Sequence, residues 1–181
     1  MDDISKQKIS HIVTAFEKYA LGDIKNVQKN KMPIAAFILC VCFIDQISGF
    51  VYDNKLKGQK DSTGRSKKFV SEYLNKVAQK PYDKDDIIDL LRNKLVHNYS
   101  LSDRKIPKHQ KYMLEYENPQ FHLHKDGDNV FVNIVGFIND LENAFKLYKS
   151  QLLSDNNFQK IAIAHYDEYG ILVHKEINII I

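Results

Sequence analysis

The chain has 181 residues, of which 44% are hydrophobic and 27% charged, a composition typical of one domain with an ordinary apolar core. This composition excludes a collagen, a coiled-coil rod and a disulfide-stapled miniprotein. Twenty-six Lys and Arg residues against 23 Asp and Glu residues give a formal net charge of +3. That balance permits an RNA or phosphate partner without requiring one.

The N-terminal third predicts two helical segments. Residues 3–29 carry apolar side chains at helical spacing, which indicates an amphipathic helix that breaks near Gly22. Pro33 then stands where the first turn of a helix favours proline. The run from 34 to 44 is apolar on all sides, as in a central helix packed on several neighbours.

The cysteines and the apolar segments predict a cytoplasmic protein that does not enter a membrane. Cys40 and Cys42 would point about 200° apart on a helix, so we expect two small buried side chains and no shared ligand. The N-terminus is charged and lacks the apolar segment of a signal peptide. The apolar run from 34 to 44 is shorter than the roughly 20 residues of a membrane span.

A strongly basic segment occupies residues 54–68, with Asp61 as its only acidic residue. One interpretation is a solvated loop, because charge runs usually solvate a surface. The other is an electrostatic surface for RNA phosphates, which requires that the segment lie near a reactive site. The basic residues are Lys55, Lys57, Lys60, Arg65, Lys67 and Lys68.

Helical spacing resumes at Ser66 and ends at Pro81. Asp83 then predicts an N-cap, with Asp86 three residues later as in a capping box, for a helix that runs to about Tyr99. Strand-like alternation of side chains at 112–116, 121–124 and 130–135 predicts a hairpin and allows a third strand. A long helix from Phe137, a shorter one over 158–166 and a β-prone tail over 171–181 complete the chain.

Two histidines alternate on the second predicted strand. His122 and His124 would then face the same way and could share a metal ion, but no third ligand follows at a recognisable spacing. We therefore expect paired surface histidines, with no bound metal and no cofactor. Walker, dinucleotide-binding, serine-hydrolase and zinc-finger motifs are also absent from the sequence.

The side chains best suited to catalysis lie on the predicted helix after Pro81. Asn93 and His97 are four residues apart and share a helix face, while Arg92 and Tyr99 share the adjacent face. Phosphodiester cleavage needs a proton acceptor near neutral pH and a cation at the phosphate, which His and Arg supply. The alternative is structural, because helix ends favour His for capping and dipole reasons. Asp45 is a candidate to pair with Arg92 or His97 from the central helix.

These residues resemble the R-x4-6-H signature of the HEPN superfamily (higher eukaryotes and prokaryotes nucleotide-binding domains). Arg92, His97 and Tyr99 match the R-x4-H-x-Y form found in HEPN toxins partnered with minimal nucleotidyltransferases, and Asn93 matches the polar residue after the arginine. Residues 42–49 and 69–73 also resemble uncharacterised bacterial HEPN-like proteins. The resemblance covers roughly residues 34–99, whereas small HEPN toxins lack a hairpin after the motif helix and a β-prone tail.

The resemblance implies a metal-independent endoribonuclease, in bacterial defence, stress response or a toxin–antitoxin pair, that forms a homodimer through the motif helix. Its partners would be RNA and an antitoxin or nucleotidyltransferase. His97 would be the acid/base, Arg92 the phosphate ligand and Asn93 the positioning residue. Tyr99 would make a supporting contact and, as in the toxin subgroup, be the residue that a partner enzyme modifies.

Some HEPN domains are binding or regulatory modules without turnover, and this is the second interpretation. If Arg92 and His97 are buried and satisfied by protein groups, the module is favoured; if both line an open basic cleft, the nuclease is favoured. The expected fold is mainly α, a HEPN-like bundle of about five or six helices in one domain over 1–181. Core helices would occupy 1–100, a hairpin insertion 110–135, closing helices 136–166 and the tail 170–181.

Overall fold

The computed structural model describes residues 2–53, 61–88, 91–92, 95 and 111–171. These residues form a helical bundle with one small three-stranded sheet, which confirms the predicted mainly α fold class. The β-prone tail beyond residue 171 lies outside the described part of the chain.

The N-terminal segment is helical from end to end. Helix α1 (Asp3–Thr14) is capped by Asp2, a π-helical turn follows at Ala15–Ala20, and helix α2 spans Leu21–Lys29. The predicted break near Gly22 is wrong. A glycine inside a helix costs only about 1 kcal/mol, and the buried side chains of Leu21 and Ile24 hold this turn against the core.

Helix α3 (Pro33–Val51) is the central helix, and Pro33 lies in its first turn as predicted. It is the one described helix that is long and apolar enough to cross a membrane by length and composition, but 61% of that window is buried inside the protein, as in a core helix. Cys40 is buried as expected, whereas Cys42 is exposed, so the expectation for Cys42 is wrong. The physical reason is the angle of about 200° between the two positions, which carries them to opposite sides of the helix.

The second half of the basic segment is helix α4 (Ser62–Phe69). Its start at Ser62 corrects both the loop interpretation of residues 62–68 and the predicted start at Ser66. The cause is Asp61, whose carboxylate accepts hydrogen bonds from the backbone N–H groups of Thr63 (3.1 Å) and Gly64 (3.0 Å) and so caps the helix. Residues 54–60 lie outside the described chain.

A π-helical turn (Val70–Leu74) and helix α5 (Asn75–Val77) continue from α4 and end before Pro81. Helix α6 (Lys84–Ile88) begins after Asp83, whose Oδ1 accepts a hydrogen bond from the Asp85 N–H at 2.9 Å, as the predicted N-cap requires. The backbone is again helical at Leu91, Arg92 and Leu95.

The sheet has the order β1-β3-β2, from strands β1 (Lys111–Glu115), β2 (His124–Asp126) and β3 (Asn129–Asn133). Strands β2 and β3 form the hairpin, while β1 pairs with β3 in parallel. The predicted strand over 121–124 is wrong, because Asn118 and the proline after it nucleate a 3-10 turn at Pro119–Phe121. His122 therefore precedes β2 and is part-buried, so it does not form a surface pair with exposed His124.

Helices α7 (Ile134–Ser154) and α8 (Asn156–Tyr169) complete the bundle, and each is longer than the pattern predicts. Asn133 caps α7, which begins at Ile134, three residues before the predicted start at Phe137. Phe16, Phe43 and Phe145 from three different segments meet edge-on or tilted in the core, with ring centroids 5.4 to 6.3 Å apart. Five buried tyrosines complete this core: Tyr52, Tyr73, Tyr82, Tyr112 and Tyr148.

Candidate functional site

The arginine of the motif and the acidic residue of the central helix lie side by side. Arg92 Nε is 3.3 Å from Asp45 Oδ1, and its Nη2 is 3.4 Å from Asp45 Oδ2. Asp45 thus pairs with Arg92, the first of the two partners that the sequence left open for it. The ion pair ties the helical backbone at Arg92 to α3.

The first turn of α4 supplies hydroxyl groups to the same guanidinium. Arg92 Nη2 donates to Ser62 Oγ at 2.7 Å, and Nη1 donates to Thr63 Oγ1. Ser66, one turn further along α4, donates to Asp45 Oδ1 at 2.9 Å. We call Asp45, Ser62, Thr63, Ser66 and Arg92 the Arg92 cluster.

The Arg92 cluster holds the guanidinium in one orientation. An arginine side chain has five N–H groups. Three of those of Arg92 donate to described residues, and a fourth, on Nε, lies beside Asp45. The Arg92 side chain keeps 23% of its surface exposed and that of Asp45 keeps 35%. The guanidinium is therefore fixed by protein acceptors and still reaches the surface.

Three of the six basic residues predicted to bind RNA are described, and two of them lie beside carboxylates. Lys67 Nζ is 3.1 Å from Asp85 Oδ1 on α6. Lys68 Nζ lies 4.4 Å from the centre of the Tyr52 ring and 3.8 Å from Glu72. Arg65 lies close enough to His165 to lower the pKa of that imidazole. Carboxylates from outside the segment therefore offset part of its positive charge.

The remaining predicted site residues lie outside the described part of the chain. They are Asn93, His97, Tyr99, Lys55, Lys57 and Lys60. Of the sequence-predicted residues, the structure thus brings together Arg92 and Asp45, and it places Arg65 on the helix that contacts them.

A cleft beside the Arg92 cluster has no counterpart in the sequence analysis. Its volume is about 200 Å³, and it lies between the C-terminal end of α3 and helix α8. His165 of α8 lines it, and burial lowers the pKa of this imidazole, with a further decrease from Arg65 and an opposing effect of Glu168. A single histidine on an amphipathic helix carries no sequence signal, but Gly49 inside a helix does indicate a close approach at that point.

A second polar cluster links the sheet to the bundle. Tyr82 Oη donates to Asp140 Oδ2 at 2.6 Å and lies 2.9 Å from His122 Nε2, which is 3.2 Å from the same carboxylate oxygen. The His122 and Asp140 side chains are only 14% and 13% exposed, and burial beside Asp140 raises the pKa of Tyr82 well above 10. These contacts fix the turn before β2 on α7, which is a structural role.

Comparison of the chain with protein-family models, with curated proteins and with solved structures gave no match.

Proposed function

We propose that the chain is a HEPN-like, metal-independent endoribonuclease. The proposal combines the resemblance of the Arg92–Tyr99 segment to the R-x4-H-x-Y motif with the orientation of the Arg92 guanidinium. In this reaction His97 accepts the proton of a ribose 2′-hydroxyl, whose oxygen then attacks the adjacent phosphorus. The P–O5′ bond breaks, the 5′-oxygen takes up a proton, and the products carry a 2′,3′-cyclic phosphate and a 5′-hydroxyl.

The observation that carries the proposal is the Arg92 cluster. Because Asp45, Ser62 and Thr63 hold the guanidinium, an incoming phosphate would meet a cation that has already lost its side-chain freedom. Among the contacts between described residues, one N–H group of Arg92 has no acceptor, and 23% of the side chain is exposed to an incoming phosphate. Defence, stress response or a toxin–antitoxin pair is the setting that the resemblance suggests for such an enzyme.

The decisive experiment is cleavage of a mixed-sequence, 5′-labelled RNA in excess EDTA. We expect the wild-type protein to give products with 2′,3′-cyclic phosphate ends, and His97→Ala to lower the rate by about 10²- to 10⁴-fold, the usual contribution of a general acid–base group. His124→Ala is the matched control, since His124 lies exposed on β2. Cleavage by His97→Ala at the wild-type rate would remove the catalytic assignment.

The same cluster also favours a second function, a binding or regulatory module of the same fold without turnover. Arg92 donates to acceptors on α3 and α4, and an arginine satisfied by protein groups needs no substrate to explain it. In that case Arg92 is a structural tie between its own segment, α3 and α4.

Arg92→Lys separates the two functions. A lysine keeps the positive charge but not the planar fork that reaches three acceptors at once. For the nuclease we expect at least a tenfold slower cleavage by Arg92→Lys at protein concentrations and temperatures where circular dichroism shows a folded chain. For the module we expect no cleavage by either protein and a lower melting temperature for Arg92→Lys.

A further inference from the structure

The cleft between α3 and α8 has the dimensions of a site for a single ring system. Its volume of about 200 Å³ lies below the roughly 300–1,000 Å³ of pockets for larger ligands. Gly49 of α3 and Tyr52, the residue after α3, line one side of it, while Lys160, His165 and Glu168 line it from α8.

The floor of the cleft is an imidazole fixed against the backbone of α3. A Cβ atom on Gly49 would lie 2.5 Å from His165 Cε1 and 2.6 Å from Nε2, so only glycine allows this approach. The imidazole centroid is 4.6 Å from that of Phe50 and 4.7 Å from that of Tyr169. Because burial lowers the pKa of His165, the ring is neutral at pH 7 and offers an uncharged aromatic surface on which a planar ligand can stack.

The rim of the cleft carries a cation and a carboxylate. Lys160 and Glu168 are exposed, and within the part of the chain that the structure describes they form no hydrogen bond or ion pair. A carboxylate accepts two parallel hydrogen bonds from a ligand with two adjacent donors. Among the four RNA bases, only guanine presents such a pair on its Watson–Crick edge, N1–H and the N2 amino group.

The cleft and the Arg92 cluster are neighbours along α3. Asp45 and Gly49 are four residues apart on this helix, which places them about 6 Å apart along its axis. On α4, Ser66 contacts Asp45, and the positive charge of the preceding residue, Arg65, acts on His165. A phosphate at Arg92 and a base over His165 would therefore both lie along the side of α3 that carries Asp45 and Gly49.

We infer that this cleft binds the guanine base of the nucleotide next to the scissile phosphate, with Glu168 accepting from N1–H and the N2 amino group. The inference rests on the proposed function, since it assigns a base subsite to that reaction. His165 stacks on the base, and the phosphate lies at Arg92.

Binding of the four nucleoside 3′-monophosphates by the full chain tests this inference without any cleavage step. In calorimetric titrations at pH 7 we expect 3′-GMP to bind at least about tenfold more tightly than 3′-AMP, 3′-CMP or 3′-UMP, as for one good bidentate base contact. Glu168→Gln should weaken 3′-GMP binding about tenfold and leave 3′-AMP unchanged. Glu117→Gln, an exposed glutamate beyond β1, is the matched control and should bind all four like the wild type.

Gly49→Ala is the second variant, because its methyl group must displace the His165 ring. We expect it to weaken binding of all four nucleotides, and the NMR signal of the His165 Cε1 proton should shift on addition of 3′-GMP to the wild type only. If Gly49→Ala does not fold, Glu168→Gln and this NMR signal still decide the outcome.

Equal binding of all four nucleotides, no binding of any, or 3′-GMP binding that Glu168→Gln leaves intact would each overturn the inference. The proposed function fails separately, in the RNA cleavage assay. Binding of 3′-GMP without RNA cleavage would support the base site in the cleft and refute the nuclease function. RNA cleavage without binding of 3′-GMP would support the nuclease function and refute the base site.

Discussion

The ion pair between Asp45 and Arg92 makes a quantitative prediction for a double-mutant cycle with Asp45→Asn and Arg92→Gln. Asp45→Asn removes the negative charge and retains an oxygen that accepts from Ser66. Arg92→Gln removes the positive charge and most of the donors to Ser62 and Thr63. The coupling energy between the two changes measures how much the pair contributes to folding.

The structure sets the size of this coupling. At 3.3 Å and an effective dielectric constant of about 20, the attraction between the charges is about 5 kcal/mol before any desolvation cost. Since the side chains are 23% and 35% exposed, the pair lies between a surface pair, worth about 0–1 kcal/mol, and a buried one. We expect a coupling of about 1–1.5 kcal/mol, with single-variant losses of about 1–2 kcal/mol for Asp45→Asn and 2–3 kcal/mol for Arg92→Gln.

Urea unfolding of the four proteins, followed by circular dichroism at 222 nm, gives these free energies. The matched control is the cycle of Glu17→Gln with Lys149→Gln, whose charged atoms are closer, 2.8 Å, but whose side chains are more exposed, 52% and 30%. We expect the control coupling to be smaller and to vanish in 1 M NaCl, where the Debye length is about 3 Å. The Asp45–Arg92 coupling should largely persist in this salt.

A coupling energy of less than about 0.3 kcal/mol between Asp45 and Arg92 would refute this reasoning, because two independent sites deviate from additivity by about as much. The same conclusion would follow if the exposed control pair gave the larger value. In either case the hydroxyl groups of α4, and not the carboxylate, would hold the guanidinium.

Further predictions concern the packing of the fold. Gly136→Ala should lose about 2–4 kcal/mol of unfolding free energy in urea, because its methyl group would collide with the His122 ring. The control is Gly22→Ala, whose methyl group would have no atom within 4 Å, and it should be neutral or stabilising by up to about 1 kcal/mol. Equal changes in stability for the two variants would contradict this. Burial raises the pKa of four buried tyrosines, Tyr52, Tyr73, Tyr82 and Tyr148, so their contribution to stability is constant below pH 10 and falls above it by up to about 1.4 kcal/mol per pH unit for each. Absorbance at 295 nm should then show these four of the 10 tyrosines titrating only as the helical signal disappears. Ellman's reagent should modify exposed Cys42 in the folded protein and buried Cys40 only in urea; two thiols reacting at one rate without urea would disprove this.

Sequence patterns within one short segment predicted the helices that are specified within that segment. The apolar run after Pro33 predicts the central helix, because no face of it can be left in water. Asp83 predicts the start of α6 through a hydrogen bond to its own first turn. The start of α4 depends in the same way on Asp61, but there the high charge of the segment favours a loop and outweighs the capping signal.

Contacts between distant segments were not predictable from such patterns. Nothing in the alternation of β1 indicates that it pairs in parallel with β3 and not with its neighbour in sequence. The position of His122 over Gly136 depends on this arrangement, and so does its contact with Tyr82.

The sequence by itself determined the fold class and the residue types that are capable of phosphodiester chemistry, because hydrophobic periodicity and side-chain chemistry are properties of short segments. It also offered Asp45 as a partner for Arg92 or His97. Only the tertiary structure decided that Arg92 is that partner, that Ser62 and Thr63 join it, and that His165 closes a cleft one helical turn away. These contacts join residues that are tens of positions apart, and only the packing of α4 and α8 on α3 brings them together.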